Sequence, residues 1–589
     1  MKNVFLFSGI LYFCLFSKEK INAQSRSGEL GIHTSVDDWP REPSPYLDFD
    51  WKKRFLDFDS YIFDWNKKST FPTIKWDLTH YNMSTKTIAI PAYYGDVRLY
   101  HDGWTDALTI IADVVGSTLC GRKKDSVVVD GQVYNYVDML RTFKHQYKNR
   151  KTVYNWPDPK HVRIHSDWWY DAGPSLLYFM VGNLYPNENG MDKNLREIAD
   201  SYYDMVQNLG GEKPDFWHQA YNFDDNRPVD SINWNGQNLK WKCPEAGVVT
   251  ALIEYWAFQK FGDVKYLKAA KSCMDYFENL KRNPYYEMGI SFGPYIAARM
   301  NAETGTHYDV GKYINWLLKG SDVRKGYGTS ESNWNGYDTY GLVGSRRDNG
   351  GEGYVFGLET FANAFLAPAV KYNPQLARTV AKWLLNAGNA ARFFYADQLP
   401  ADHQFYGSKY IKADENVIPY EGLRYSEEGQ SPRATGDPVS YNALWAKLGP
   451  SFDVGKQVTN LALYDGAWAG FFGAILQNTN VSKILQIDLN KLDFFKSGKS
   501  YPSYLYYNPY TSSKKIEINL ASGSDLFDVL SGKFIARNVT GKYYFTIPAD
   551  EVTFLVICPS KSKLKHKGNE ILINNIPVAF NTPVNKKAD

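Results

Sequence analysis

The sequence predicts a mainly α-helical protein with a smaller β domain, an (α/α) toroid followed by an antiparallel β-sandwich. Three observations predict it. Apolar residues recur at helical spacing from about residue 102 to about 480, in helix pairs separated by long polar loops. From about Val481 the spacing changes to alternation, in short segments broken by Gly turns. At 589 residues the chain also exceeds what one core ordinarily serves, so one large and one smaller domain is the natural division.

Residues 1–24 read as a signal peptide: Lys2, an apolar run from Val4 to Phe16, and a cleavage zone at Asn22-Ala23-Gln24. The run is short for a membrane span, so the expectation is export to a periplasmic location without a membrane anchor. Residues 25–100, rich in Trp, Asp, Phe and Pro, read as a lead-in wrapping the main domain, 101–480 as the toroid and 481–589 as the sandwich. Within the toroid, helical spacing covers Gly103–Leu119 and Asn194–Leu209. Pro244–Phe261 follows, stopped by Gly262, and Asp263 then caps a helix to Leu280. Tyr354–Val370 and Pro374–Phe394 form a further pair. In the last domain Lys515–Leu520, Leu526–Leu530, Phe534–Ala536, Tyr543–Ile547, Glu551–Cys558 and Glu570–Phe580 read as strands.

The formal charge of +3 is spread along the chain, which disfavours nucleic acid as a partner. Cys120, Cys243, Cys273 and Cys558 are far apart with no CxxC, so neither zinc nor a disulfide framework is indicated. His161 and His165 are four apart, but Pro159 and the Val-Arg-Ile interior favour an extended segment over a metal pair. No HExxH, GxSxG, phosphate loop or GxGxxG occurs, and no cofactor or metal is expected. Tyr, Phe and Trp number 44, 33 and 17, an aromatic content that raises the odds of a glycan ligand, because rings stack on sugar faces.

The residues with the most chemistry lie in Tyr295–Asp309: Arg299, Asn301, Glu303, His307 and Tyr308 fall near a helix end broken at Thr304-Gly305-Thr306. Elimination on a uronic acid needs the carboxylate neutralised, the C5 proton removed and the leaving oxygen protonated. Arg299 and Asn301 are the candidate clamp, with Glu303 and Glu245 to orient it; an internal salt bridge is the bland alternative. His218 and Tyr221 are the candidate base and acid, sharing a face if their segment is helical. His165, Asp167, Trp168 and Trp169 are read as a sugar subsite. Trp334, Arg346, Arg347 and Glu352 lie in a Gly-rich loop suited to a substrate wall, and His403 and His307 are further cleft candidates.

The phrases CPEAG (243–247), ARMNAETGTHYDVGKYINW (298–316), LLNAGNAARFFYADQLPADHQ (384–404) and YPSYLYYNPY (501–510) resemble bacterial toroid-plus-sandwich carbohydrate-active enzymes. Among these the chain is most similar to the polysaccharide-lyase-like enzymes of marine bacteria that dismantle ulvan, and to their oligosaccharide dehydratases. The resemblance implies a carbon–oxygen lyase acting on an acidic oligosaccharide, with water or a sugar leaving. A glycoside hydrolase on the same fold is the alternative, with Glu245, Glu303 and Glu352 available as paired carboxylates. A non-catalytic glycan-binding protein is the third reading, and oligomeric state is invisible at this level.

Overall fold

The structure is a computed structural model. It describes residues 36–66, 73–94, 105–160, 168–230, 242–324, 326–346, 350–351, 353–400, 403, 416–419, 422–425, 433–434, 461–496 and 498–581. The proposed signal peptide, His165, Asp167, Arg347 and Glu352 lie outside the described residues, as does the side chain of Trp169.

Helix α1 (Trp51–Ile62) starts at Asp50, whose carboxylate accepts from the Lys53 N–H. Helix α2 (Ala107–Leu119) is capped by Asp106 in the same way, and α3 (Trp169–Leu184) and α4 (Met191–Asn208) follow. Helix α5 (Ala246–Phe261) ends where Gly262 adopts φ +72°, a left-handed conformation suited to glycine. The next residue, Asp263, caps α6 (Val264–Asn279), so the helix hairpin is closed as its sequence predicts. A 3₁₀ turn at Gly289–Phe292 leads into α7 (Gly293–Thr304), then α8 (Val310–Lys319). Helices α9 (Gly357–Ala362), α10 (Leu366–Tyr372), α11 (Ala377–Ala391) and α12 (Leu463–Ile475) complete the set used below.

The helices close a ring. Helix α2 packs on α3, α3 on α5, and α5 on the Gly289–Phe292 turn and α7; that turn packs on α9, α9 on α12, and α12 returns to α2. Helices α4 and α6 lie against α5, α8 and α10 against α7, and α1 against α12 and α2, as an outer layer. The α2–α12 seam is the tightest: a Cβ built on Gly470 would lie 2.6 Å from the Cα of Gly116, so both positions need glycine.

Irregular segments lace the starts of the inner helices together at one end. Asp106 N–H donates to Ile90 O and Leu463 N–H to Ala92 O, tying the starts of α2 and α12 to one strand-like segment. Ala107 N–H donates to Asn155 O, and the adjoining Val153 bonds Ser175 in α3. Trp168 N–H donates to Gln219 O and Cys243 N–H to His218 O, which joins the starts of α3 and α5. The starts of the inner helices therefore lie together at one end of the ring, called the mouth below.

The β unit is a six-stranded antiparallel sheet, taken as β1 (Leu476–Asn478), β2 (Leu485–Asp488), β3 (Ser503–Tyr507), β4 (Lys514–Asp528), β5 (Lys533–Ile547) and β6 (Val552–Pro559), in the order β1-β2-β3-β6-β4-β5. A three-stranded sheet over Leu564–Phe580 follows. The β4–β5 pairing shifts register between Leu520 and Ser524, and the first half of β4 pairs only with β5. Its Ile516, Ile518 and Leu520 join Tyr506, Phe545 and Leu555 in a second core. The other sheet face, with Leu505, Phe527 and Phe554, shares the toroid's core, and α11 packs on β3 and β6. A helical domain is thus followed by a β domain, as the spacing predicts.

Candidate active site

Each inner helix begins with an acid. Asp106 caps α2, Asp171 lies in the first turn of α3, and Glu245 immediately precedes α5. Glu287 precedes the 3₁₀ turn at Gly289, Glu359 lies in the first turn of α9, and Asp465 in the first turn of α12. A carboxylate at a helix start is ordinarily favoured by the exposed N–H groups there. Asp465 uses that: its Oδ1 accepts from Leu358 N–H at 2.6 Å, which pins the start of α9 to the start of α12. Asp106 accepts from Thr109 and Asn155, though burial still raises its pKa.

Glu359 behaves otherwise. It is 0% exposed, and neither carboxyl oxygen has a hydrogen-bond partner among the described residues. Burial, then repulsion from Glu287, Asp465 and Glu245, holds its pKa well above the ordinary carboxylate range. Acids from four different starts therefore lie within electrostatic reach of one another, and burial with their repulsion favours the uncharged form of Glu359. Close packing fixes them: a Cβ on Gly289 would lie 2.7 Å from the Glu245 side chain, and one on Gly357 2.9 Å from Asp465. Glu287 adopts φ +49°, a costly conformation for a non-glycine residue and one common at functional sites.

Tyrosines and arginines border the acids. The Tyr327 and Tyr354 hydroxyls meet at 3.2 Å, and burial raises Tyr327 and Tyr285, both of which sense Glu359. The Tyr286 ring stands edge-on to Tyr327 at 4.9 Å. Arg324 lies over Tyr286 at 3.8 Å and donates to the Cys243 sulfur at 3.2 Å, and Arg424 lies over Tyr354 at 5.1 Å. Proton donors, acceptors and apolar ring faces gathered at one buried end of the ring suit acid–base work on a polyhydroxylated substrate.

The residues proposed for elimination are not gathered there. His218 and Tyr221 border a hairpin (Ala220–Asn222 with Arg227–Val229), so helical spacing does not apply between them. The His218 imidazole pairs with Asp230 at 2.9 Å, while Tyr221 is buried, accepts from Asn208 at 3.0 Å and stacks on Trp168 at 6.3 Å. Trp168 itself is a core residue packed on Phe216. Arg299 and Glu303 lie late in α7, away from its start, and are joined to each other at 3.1 Å. Asn301 closes the turn after α7, donating to Tyr308 O and accepting from Tyr308 N–H. Tyr308 donates to Asp275, and His307 is exposed. Trp334 bonds Ser332 and meets Tyr425 edge-on, Arg346 donates to Leu318 O, and His403 packs on Tyr337. Of the predicted site residues among those described, Glu245 is the one the structure places in the acid cluster.

Glu287, Glu359 and Asp465 were missed by sequence reasoning. A faint signal exists: Tyr-Asp-Ala-Gly at 170–173, Pro-Glu-Ala-Gly at 244–247 and Tyr-Asp-Gly-Ala at 464–467 share an acid followed by small residues. Small residues let neighbouring inner helices approach while the acid stays at the mouth.

No protein-family model matches the chain, and no curated protein sequence does. Among solved structures it is similar to a GH127 β-L-arabinofuranosidase from Geobacillus stearothermophilus T6, at 10% identity and TM-score 0.34, over 90% of this chain and 84% of that one. A second GH127 β-arabinofuranosidase aligns at 9% identity and TM-score 0.35, over 91% and 83% of the two chains. A third structure, described as a glycoside hydrolase, aligns at 9% identity and TM-score 0.29, over 69% and 68%. The superpositions are loose, so function must rest on the site. The lyase expectation is corrected on the site itself: the imidazole, phenol and guanidinium that elimination required are each committed to separate partners, and the three structures named above are described as glycosidases rather than lyases.

Proposed function

We propose that the chain is a glycoside hydrolase in which Glu359 is the proton donor. The observation that carries this is a fully buried carboxyl with no hydrogen-bond partner among the described residues and within electrostatic reach of three other acids. Hydrolysis of a glycosidic bond needs one carboxylic acid protonated at neutral pH, to protonate the leaving oxygen, and one carboxylate to activate water or attack the anomeric carbon. Glu287, the foremost of the acidic neighbours that raise Glu359, is the candidate second carboxylate, with Glu245 and Asp465 holding the local field. Arg324 and Arg424 beside the mouth suit a carboxylate or sulfate on the sugar, so an acidic oligosaccharide is the proposed substrate class.

The deciding experiment is incubation with acidic and neutral oligosaccharides in ¹⁸O-labelled water, followed by mass analysis. Hydrolysis places one label on each new reducing end. Products carrying a conjugated double bond and no label would overturn the proposal.

Two variants separate this site from the one the sequence suggested. Tyr221→Phe is expected to keep full turnover on the cleaved oligosaccharide. It should lower stability by about 1 kcal/mol at most, the worth of its bond with Asn208, read as a small shift in a thermal melt. His218→Ala is expected to keep turnover within about threefold, since it removes a half-exposed pairing with Asp230 and touches none of the mouth acids. A large rate loss from either, with stability intact, would return the reaction to the hairpin.

A further inference from the structure

At the far end of α2 and α12 lies a cavity of about 470 Å³. Its wall is drawn from all three parts of the chain: Phe49, Asp50 and Lys52 from the lead-in, Leu119 and Gly473–Ile475 from the ends of α2 and α12, and Gln477, Asn478, Gln486, Asp488, Lys491 and Tyr504 from the sheet and its connections. That volume is in the ordinary range for small-ligand sites. The lining carries two carboxyls, Asp50 and Asp488, and two ammonium groups, Lys52 and Lys491, so its charges balance. Such a wall selects neither an anion nor a cation. It selects a neutral molecule with many hydroxyls, because donors and acceptors are both plentiful. The Tyr504 ring adds an apolar surface of the kind that sugar C–H faces stack on.

The polar groups are held in place before any ligand arrives. Asp488 accepts from the N–H groups of Asn490 and Lys491, and Lys491 Nζ donates to Leu119 O at 3.1 Å. Asn478 is fixed through its amide nitrogen to Phe49 O at 3.2 Å, while its carbonyl oxygen is buried with no hydrogen-bond partner among the described residues.

The position matters as much as the lining. Helix α12 carries Asp465 in its first turn and Gly473–Ile475 in its last, and its 13 residues span about 20 Å. We infer that this cavity is a second saccharide-binding site, one that holds a neutral sugar unit of the same glycan about 15 Å along α12 from the acid cluster. This rests on the proposed hydrolase reading for its purpose but not for its existence. A second hold on one chain raises the effective concentration of the scissile bond at the mouth without new catalytic contacts. Because the wall joins lead-in, toroid and sheet, occupancy should also stabilise the whole chain against heat.

The test uses full-length protein carrying Glu359→Gln, titrated calorimetrically with arabinan, glucuronoxylan and rhamnogalacturonan oligosaccharides. A bound oligosaccharide is expected to raise the melting temperature, and Tyr504→Ala with Lys491→Ala is expected to weaken that binding at least tenfold. Gln477→Trp, which fills the cavity from its exposed rim, should do the same without removing a buried contact. Binding of every oligosaccharide left unchanged by both variants, or no binding by any of them, overturns the inference. Cavity-dependent binding in a protein that hydrolyses nothing would sink the hydrolase reading alone, and leave the site standing.

Discussion

Glu359→Gln is expected to lower kcat by about 10²–10⁴-fold, the usual worth of a positioned general acid, while leaving the melting temperature unchanged or slightly raised. The two halves of that result come from one cause. Burial and the neighbouring charges of Glu287, Asp465 and Glu245 all oppose ionisation of this carboxyl, so the fold favours its uncharged form. A neutral amide of the same shape therefore costs folding little. It removes the only thing the folded state does not need, a proton that can leave. Loss of activity that tracks loss of structure would refute the assignment, as would activity within about tenfold of the parent.

The same argument fixes the pH profile. With Glu359 acting as the acid, the rate is full below its raised pKa and falls as pH rises through it. The acidic limb belongs to the second carboxylate, which must be ionised to work. Replacing the natural leaving sugar by a nitrophenol, which departs without protonation, should rescue much of the Glu359→Gln loss. A Glu287→Gln variant gains nothing from that change, because water activation or attack is what it lacks. A rescue seen in both variants, or in neither, would exchange or dissolve the two roles.

How much of this was legible in the sequence follows from what each element shows to water. Helix α4 keeps Leu195, Ile198, Ala199, Tyr202 and Val206 on one face and polar residues on the other, so its period is visible. Helix α5 and its cap pair with α6 were legible through Gly262 and Asp263 rather than through periodicity, since α5 is buried on nearly every side. Helices α3 and α12 were missed for that reason. They belong to the inner ring, their residues are apolar all round, and α3 even carries Pro174. The site acids sit at the starts of such helices, where no amphipathic pattern marks the boundary. Arg299 was conspicuous because several chemistries crowd into one short stretch. Crowding in sequence is not convergence in space: alternate positions of α7 face different neighbours, and Arg299 faces the β unit.

That placement gives the second large effect. Asp493→Ala is expected to destabilise the chain by about 3–5 kcal/mol, as removing one partner of a buried charge network does. Asp493 accepts from Lys371 at 2.6 Å, Tyr372 at 2.8 Å and Tyr295 at 2.9 Å, with Arg299 at 3.6 Å. Arg299 in turn donates to Tyr295 and to the backbone carbonyl of Phe494, each at 2.7 Å, and to that of Phe495 at 3.2 Å. The network thus clamps α7 and α10 onto the segment joining β2 to β3. Burial alone would raise Asp493, but the charges of Lys371, Arg299 and Lys496 outweigh it and hold its pKa at about 2. A depressed carboxylate contributes stability that is present above its unfolded pKa of about 4 and is lost as pH falls toward 2. Denaturant melts of the parent should therefore lose stability over that acid window, and those of Asp493→Ala should lose less there. Arg299→Lys should also be costly, because an ammonium cannot reach two carbonyls, a phenol and a carboxylate at once. Its turnover per folded molecule should match the parent, since α7 presents Arg299 to the sheet and not to the mouth. A fully stable Arg299→Lys protein with crippled turnover would restore Arg299 to the chemistry.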